Sequence, residues 1–382
     1  MAISAAMSTS ALAEVTKFTP IFETAGESDF STNGRYIAWE RTGGLALAIK
    51  NSIFLLDRLT GEQKEILSGS VTRDTRHASR SWDLSGDAKY LTFSSTSDDV
   101  VDGDSNGEED VFLLEISTGE ITRISIGFSG YEAEGRSRLP SISTTGKYVT
   151  YYSNADNIVE NDPITGKGTF VYNIDTGETT LTDNRIGLDD RWISNPNISA
   201  DGKYILSDNI GENPLSLANT EDGTRTSLYS NEGLTNNYVT STMSSDGRFV
   251  LWAKTHHSYD LTNLYFYDRK VGNTSTISIS TDGSNTALEL KKHNYDMSGD
   301  GRFIVFATDQ NGITADDNDD NVDIFVFDRV EQETVRVNED TDGARAGVGI
   351  HISEDGHYIS FGEYITSNPL FGAEFCEGYE VY

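Results

Sequence analysis

The chain has 382 residues, with 61 acidic against 29 basic side chains, a formal net charge of −32 and one cysteine, Cys376. That charge opposes nucleic acid and anionic membrane surfaces as general partners, and a single cysteine excludes an internal disulfide and disfavours a thiolate metal site. No run approaches the roughly 18 apolar residues of a membrane span, so no membrane insertion is expected.

In chain order, residues 1–13, MAISAAMSTSALA, are small and uncharged and end in Ala11-Leu12-Ala13 before Glu14. This is the form of a signal-peptidase site, although a basic n-region is missing. The segment reads either as the remnant of an export signal, which predicts a periplasmic or extracellular protein, or as a frayed terminus. Residues 14–382 then read as one domain. Its first piece, EVTKFT at 14–19, looks like ETVRVN at 333–338.

A short pattern follows seven times: STNGRYIAW at 31, SGDAKYLTF at 85, STTGKYVTY at 143, SADGKYILS at 199, SSDGRFVLW at 244, SGDGRFIVF at 298 and SEDGHYISF at 353. The spacing suits propeller blades and is too long for most helical solenoids. Each copy reads as four strands: one ending in an apolar residue and Ser, a tight turn where Gly serves positive φ, a Tyr- or Phe-led strand, an apolar third strand such as VFLLE at 111 or IFVFD at 324, and a Thr-rich fourth such as EITRIS at 120. β-Branched and aromatic runs between Gly, Asp and Asn turns fit strands, and no convincing helix is found. The last copy stops after its third strand, GYEVY. The reading is therefore an all-β, single seven-bladed β-propeller of four-stranded antiparallel blades, closed by an N-terminal strand that completes the last blade.

These repeats, most clearly ISISTDGSNTALELKKHNYDMSGDGRFIVF and the following DDNDDNVDIFVFDRVEQETVRVN, resemble the TolB-like (WD40-like) propeller repeat family over roughly residues 14–382. The resemblance implies a propeller in an exported or envelope protein and implies little about activity. Such repeats occur in binding scaffolds, in accessory domains of peptidases and in lyases.

Three groups of residues are candidates for function. The stretch VDGDSNGEED sets Asp102, Asp104, Asn106 and Asp110 before a third strand, a spacing that suits a calcium loop and equally an exposed turn. It is not an EF-hand, because Leu113 stands where a bidentate Glu is required. A weaker variant carries Asp317, Asp319 and Asp323, and a degenerate copy keeps only Asp162. Two residues before each first-strand serine lies a polar position, filled by Asp29, Asp83, Ser141, Asn197, Thr242, Asp296 and His351. This ring is expected beside the central channel, satisfying backbone or water.

The third group lies on the loops between successive repeats: His77, Arg80, Arg136, Arg138, Arg191, Lys291, Lys292, His293 and Arg345. Here Arg80, Arg138, Arg191 and Arg345 would bind an anionic glycan. With Tyr238, His256, His257 and His293 as proton carriers beside Arg138, the set would serve β-elimination of a uronate. The plainer reading is that these residues cap carbonyls and pair with the abundant Asp and Glu. Two functions follow: a non-catalytic binding or interaction scaffold stabilised by Ca2+ with a glycan or protein partner, or a lyase of acidic polysaccharides.

Overall fold

The computed structural model describes residues 15–23, 25–41, 51–71, 81–160, 168–184, 196–208, 215–229, 239–255, 261–277, 289–315, 317, 321–337, 344–365 and 373–381. It is an all-β propeller. The first sheet holds strands Ala25–Phe30, Tyr36–Arg41, Asn51–Asp57 and Glu62–Val71. The second holds Trp82–Leu84, Tyr90–Ser95, Asp110–Glu115 and Glu120–Arg123, and the third Ser137–Ile142, Tyr148–Ser153, Gly168–Asn173 and Glu178–Asn184. Asn197–Ile198, Tyr204–Asp208, Leu215–Asn219 and Arg225–Tyr229 form the fourth.

The fifth sheet has eight strands, Val239–Met243, Phe249–Thr255, Leu261–Asp268, Asn273–Thr276, Glu289–Met297, Phe303–Thr308, Asp323–Asp328 and Glu333–Arg336. Its halves join where Leu261 pairs with Leu290 and Thr262 with Glu289. The sixth comprises Ala344–Ile352, Tyr358–Ile365 and Ala373–Val381, with Val15–Glu23 beside the last.

The expected seven separate four-stranded blades are thus corrected to six sheets among the described residues. The reason is local: the third strand of one repeat reaches far enough to hydrogen-bond the first strand of the next. The N-terminal segment also departs from the simple closing strand expected over 14–19. It extends to Glu23, and its pairing with Ala373–Val381 breaks register between Phe18 and Phe22.

The seven repeat turns explain the arrangement. In each, the serine hydroxyl or its neighbour binds back into the turn, as where Tyr36 N and Tyr90 N donate to Ser31 Oγ and Ser85 Oγ at 2.9 Å. The fourth turn residue takes positive φ every time, at 63° in Gly34 and at 54° in Ala88, the one non-glycine. Glycine also serves packing, because a Cβ on Gly301 would strike the ring of Phe249 and one on Gly34 the ring of Tyr358. Each turn thus seats the aromatic residue of the preceding repeat.

The turns then hold one another head to tail. Thr32 N donates to Gly86 O at 2.7 Å, Gly86 N to Thr144 O at 3.0 Å, Thr145 Oγ1 to Ala200 O at 2.6 Å and Ala200 N to Ser245 O at 2.7 Å. Ser245 N continues to Gly299 O at 3.0 Å, Gly299 N to Glu354 O at 2.9 Å, and Asp355 N returns to Thr32 O at 3.1 Å. This closed circle defines one end of the central axis.

The core lies between neighbouring sheets. Ala38, Leu55, Trp82, Phe93 and Phe112 fill the space between the first two, and Val111, Ile142, Tyr151 and Phe170 the next. Strands such as Tyr90–Ser95 are covered on both faces, so Thr92 and Ser94 are buried along with Leu91 and Phe93 although their polarity alternates. Each buried Phe contributes about 1.5–3 kcal/mol.

Candidate functional site

A cavity of about 300 Å³ occupies the axis, with the circle of turns as its floor. All seven members of the polar ring line it: Asp29, Asp83, Ser141, Asn197, Thr242, Asp296 and His351. First strands run along the axis, so one position per repeat must face it.

The ring carboxylates stitch neighbours together. Asp29 accepts Phe30 N at 2.8 Å and Leu84 N of the next sheet at 3.2 Å. Asp83 accepts Leu84 N at 3.1 Å and Ile142 N at 2.8 Å, again one sheet on. Asp296 accepts Met297 N at 2.8 Å and Ile352 N at 3.2 Å, with His351 Nδ1 at 3.3 Å. At the floor Glu354 reaches across the axis to Thr144 Oγ1, at 3.2 Å, and to Ser245 Oγ. Desolvation there pushes its carboxyl above the usual range. Among the described residues the lining carries carboxylates and one imidazole but neither Arg nor Lys.

The expected basic face is only partly visible. Arg80, Arg191, Tyr238, His256 and His257 lie outside the described residues, as does His77. His293 falls in strand Glu289–Met297 and Arg345 in Ala344–Ile352, where the backbone alone is described. Arg138 is 2% exposed, with its guanidinium 5.8 Å from the ring centre of Tyr152. Leu139 beside it has a φ of 56°, at a break in register between Arg138 and Ser141. Arg136 pairs with Glu109 at 3.0 Å. The two described arginines of the set are therefore engaged within the protein.

The acidic loop of the second sheet folds around a residue the sequence reading missed. Arg123, in the fourth strand, brings Nη1 to 2.9 Å from Asp104 Oδ1, 3.1 Å from Glu132 Oε1 and 3.5 Å from Asp110 Oδ2. Its Nη2 donates to Gly103 O at 3.2 Å. Asn106 Nδ2 faces Asp110 Oδ2 and Ala133 O, both at 3.2 Å, while its Oδ1 accepts Glu108 N at 2.8 Å. Ser125 Oγ donates to Asp110 Oδ1 at 2.6 Å. Burial pushes the Asp110 carboxyl up to about 6 despite these donors. Asp102 has no contact of this kind among those described.

In the second half of the fifth sheet, Asp323 Oδ2 lies 3.4 Å from Arg336 Nη1, and Asp317 accepts Ile313 N at 3.1 Å; Asp319 lies outside the described residues. Arg123 pairs across the strand with Phe112 as Arg336 does with Phe325. The corresponding positions in the first, third, fourth and fifth repeats are Glu65, Leu181, Ser227 and Thr276. Among these six repeats arginine enters only in the two whose loop carries the Asp pair six residues apart, Asp104 with Asp110 and Asp317 with Asp323, and that co-occurrence was the available sequence signal.

No known family's sequence profile matches the chain, and no curated protein matches its sequence. Solved structures do match in shape. An oligogalacturonate lyase in complex with manganese superposes with a TM-score of 0.59 at 15% identity, covering 96% of this chain and 93% of that one. A second oligogalacturonate lyase, from Vibrio parahaemolyticus, gives 0.57 at 12% identity over 95% and 93%. The β-propeller domain of the Trilobed protease from Pyrococcus furiosus gives 0.56 at 11% identity over 93% and 95%. These likenesses show the fold. The chain is a β-propeller, and its resemblance to TolB-like repeats is upheld to that level only.

Proposed function

We propose that this propeller is a non-catalytic binding scaffold. The observation that carries the reading is the use made of the axial carboxylates: Asp29, Asp83 and Asp296 each accept main-chain N–H groups from their own strand and from the next repeat. Elimination from a uronate requires a cation to neutralise the substrate carboxylate and a free proton carrier. Among the described residues the axial lining supplies carboxylates and one imidazole, His351, which lies 3.3 Å from Asp296, and Arg138 lies buried against Tyr152.

Binding is assigned to the loops, where rigid scaffolds carry recognition. The hairpin around Gly127–Gly130 leaves Phe128 57% and Tyr131 77% exposed while Gly127 N–Tyr131 O and Phe128 N–Asn157 O bonds hold it at 2.8 and 2.9 Å. Exposed aromatic side chains on an ordered turn suit a glycan or protein partner. The test is a panel of neutral and anionic glycans, followed by calorimetry for binding and by ultraviolet absorbance for unsaturated uronate. Binding without new absorbance is expected. Absorbance that grows with enzyme-like turnover would establish the lyase alternative instead.

A further inference from the structure

Nη1 of Arg123 sits among three carboxylate oxygens, those of Asp104, Glu132 and Asp110, and Nη2 adds the carbonyl of Gly103. Such an oxygen shell, from a short loop plus a distant carboxylate, is what a hard divalent cation takes as ligands. The group at its centre is the protein's own. We propose that Arg123 is the resident cation of this loop, standing in place of a divalent ion, and that removing its charge turns the loop into a calcium-class site.

Burial separates this arrangement from an ordinary surface ion pair. The side chain of Arg123 is 11% exposed, that of Asp104 2% and that of Asp110 not at all. Carboxylates so enclosed repel one another unless a positive charge lies between them. The guanidinium also links three separate segments: it holds the loop through Asp104 and Gly103, the third strand through Asp110, and the following hairpin through Glu132. Glu132 in turn accepts Ser105 N at 2.7 Å and Ser105 Oγ at 3.0 Å, so the oxygen shell is fixed from both sides.

The second half of the fifth sheet repeats one contact of the device, Arg336 with Asp323, and has Asp317 at the sequence position of Asp104. At the place of Glu132 that repeat has Arg345 in sequence, so it lacks the third carboxylate. Two copies acquire acid and arginine together, and the first, third, fourth and fifth repeats have no basic residue at that register. The pairing follows charge compensation within a loop and is independent of what the scaffold binds.

The experiment titrates calcium chloride into the full chain by calorimetry and records melting with and without it, for the parent, Asp104→Asn, Arg123→Gln, Arg123→Lys, and Arg123→Gln combined with Asp104→Asn. The parent and Arg123→Lys are expected to show neither saturable heat nor a calcium-dependent melting shift. Arg123→Gln should melt several degrees lower, bind one calcium ion per chain and regain most of the loss at millimolar calcium. The added Asp104→Asn change should remove that recovery. Saturable calcium binding by the parent that Asp104→Asn alone abolishes would overturn the proposal. So would an Arg123→Gln chain that calcium does not restore, whether it is folded or not.

Discussion

Asp110 shows how one side chain joins the acidic loop to the stability of the fold. Its carboxyl titrates at about 6 because burial disfavours the ionised form, with Ser125, Arg123 and Asn106 offsetting part of that cost. A carboxyl raised in the folded state holds its proton where the unfolded chain, near pH 4, has released it. Its contribution is therefore fully present below about pH 4 and is lost as pH rises through about 6. Asp110→Asn should gain on the parent as pH rises across that window, by an amount on the order of 2–3 kcal/mol, since the value of about 6 already includes the Arg123 contact. Denaturant unfolding of both chains at each end of the window checks the sign, and a constant difference between them would contradict it. This residue was legible as part of a polar loop. Arg123 and Glu132 were not, because both lie beyond the contiguous segment and only folding brings them to it.

The repeat turn is the element the sequence displayed most fully. Its glycine position takes positive φ in all seven copies, and the exception, Ala88, carries the same conformation at 54°. A non-glycine residue there costs roughly 1–2 kcal/mol. Ala88→Gly is accordingly expected to stabilise the protein by about 1 kcal/mol, whereas Gly301→Ala should destabilise it by 2 kcal/mol or more, roughly, because the new methyl also meets Phe249. Thermal unfolding of the two variants against the parent decides this, and opposite signs are required. The same turns pair a basic residue with the acid that ends the third strand, as in Arg35–Asp57, Arg248–Asp268 and Arg302–Asp328, each at 2.7 Å. What the sequence did not display was the join within the fifth sheet. Leu261, Thr262, Glu289 and Leu290 have no motif in common, and their pairing depends on strand length rather than residue type.

At the scale of the molecule, the ring of turns and the ring of axial carboxylates link successive repeats around one axis. The polar position was readable because it recurred at a fixed distance from the turn. Its chemistry emerged only when the neighbouring backbone came into view. If Asp83 and Asp296 are struts, Asp83→Ala and Asp296→Ala should each lower stability by about 2–3 kcal/mol, since each deletes an acceptor shared by two N–H groups. Ligand binding by the loops should survive wherever the variant remains folded, which calorimetry below its melting temperature can show. The most direct test of the scaffold reading is incubation of the intact protein with oligogalacturonate and other uronate glycans while ultraviolet absorbance is followed. A non-catalytic propeller predicts a flat trace at every protein concentration; a rise proportional to protein, abolished by Arg138→Ala in a chain that still folds, would contradict it.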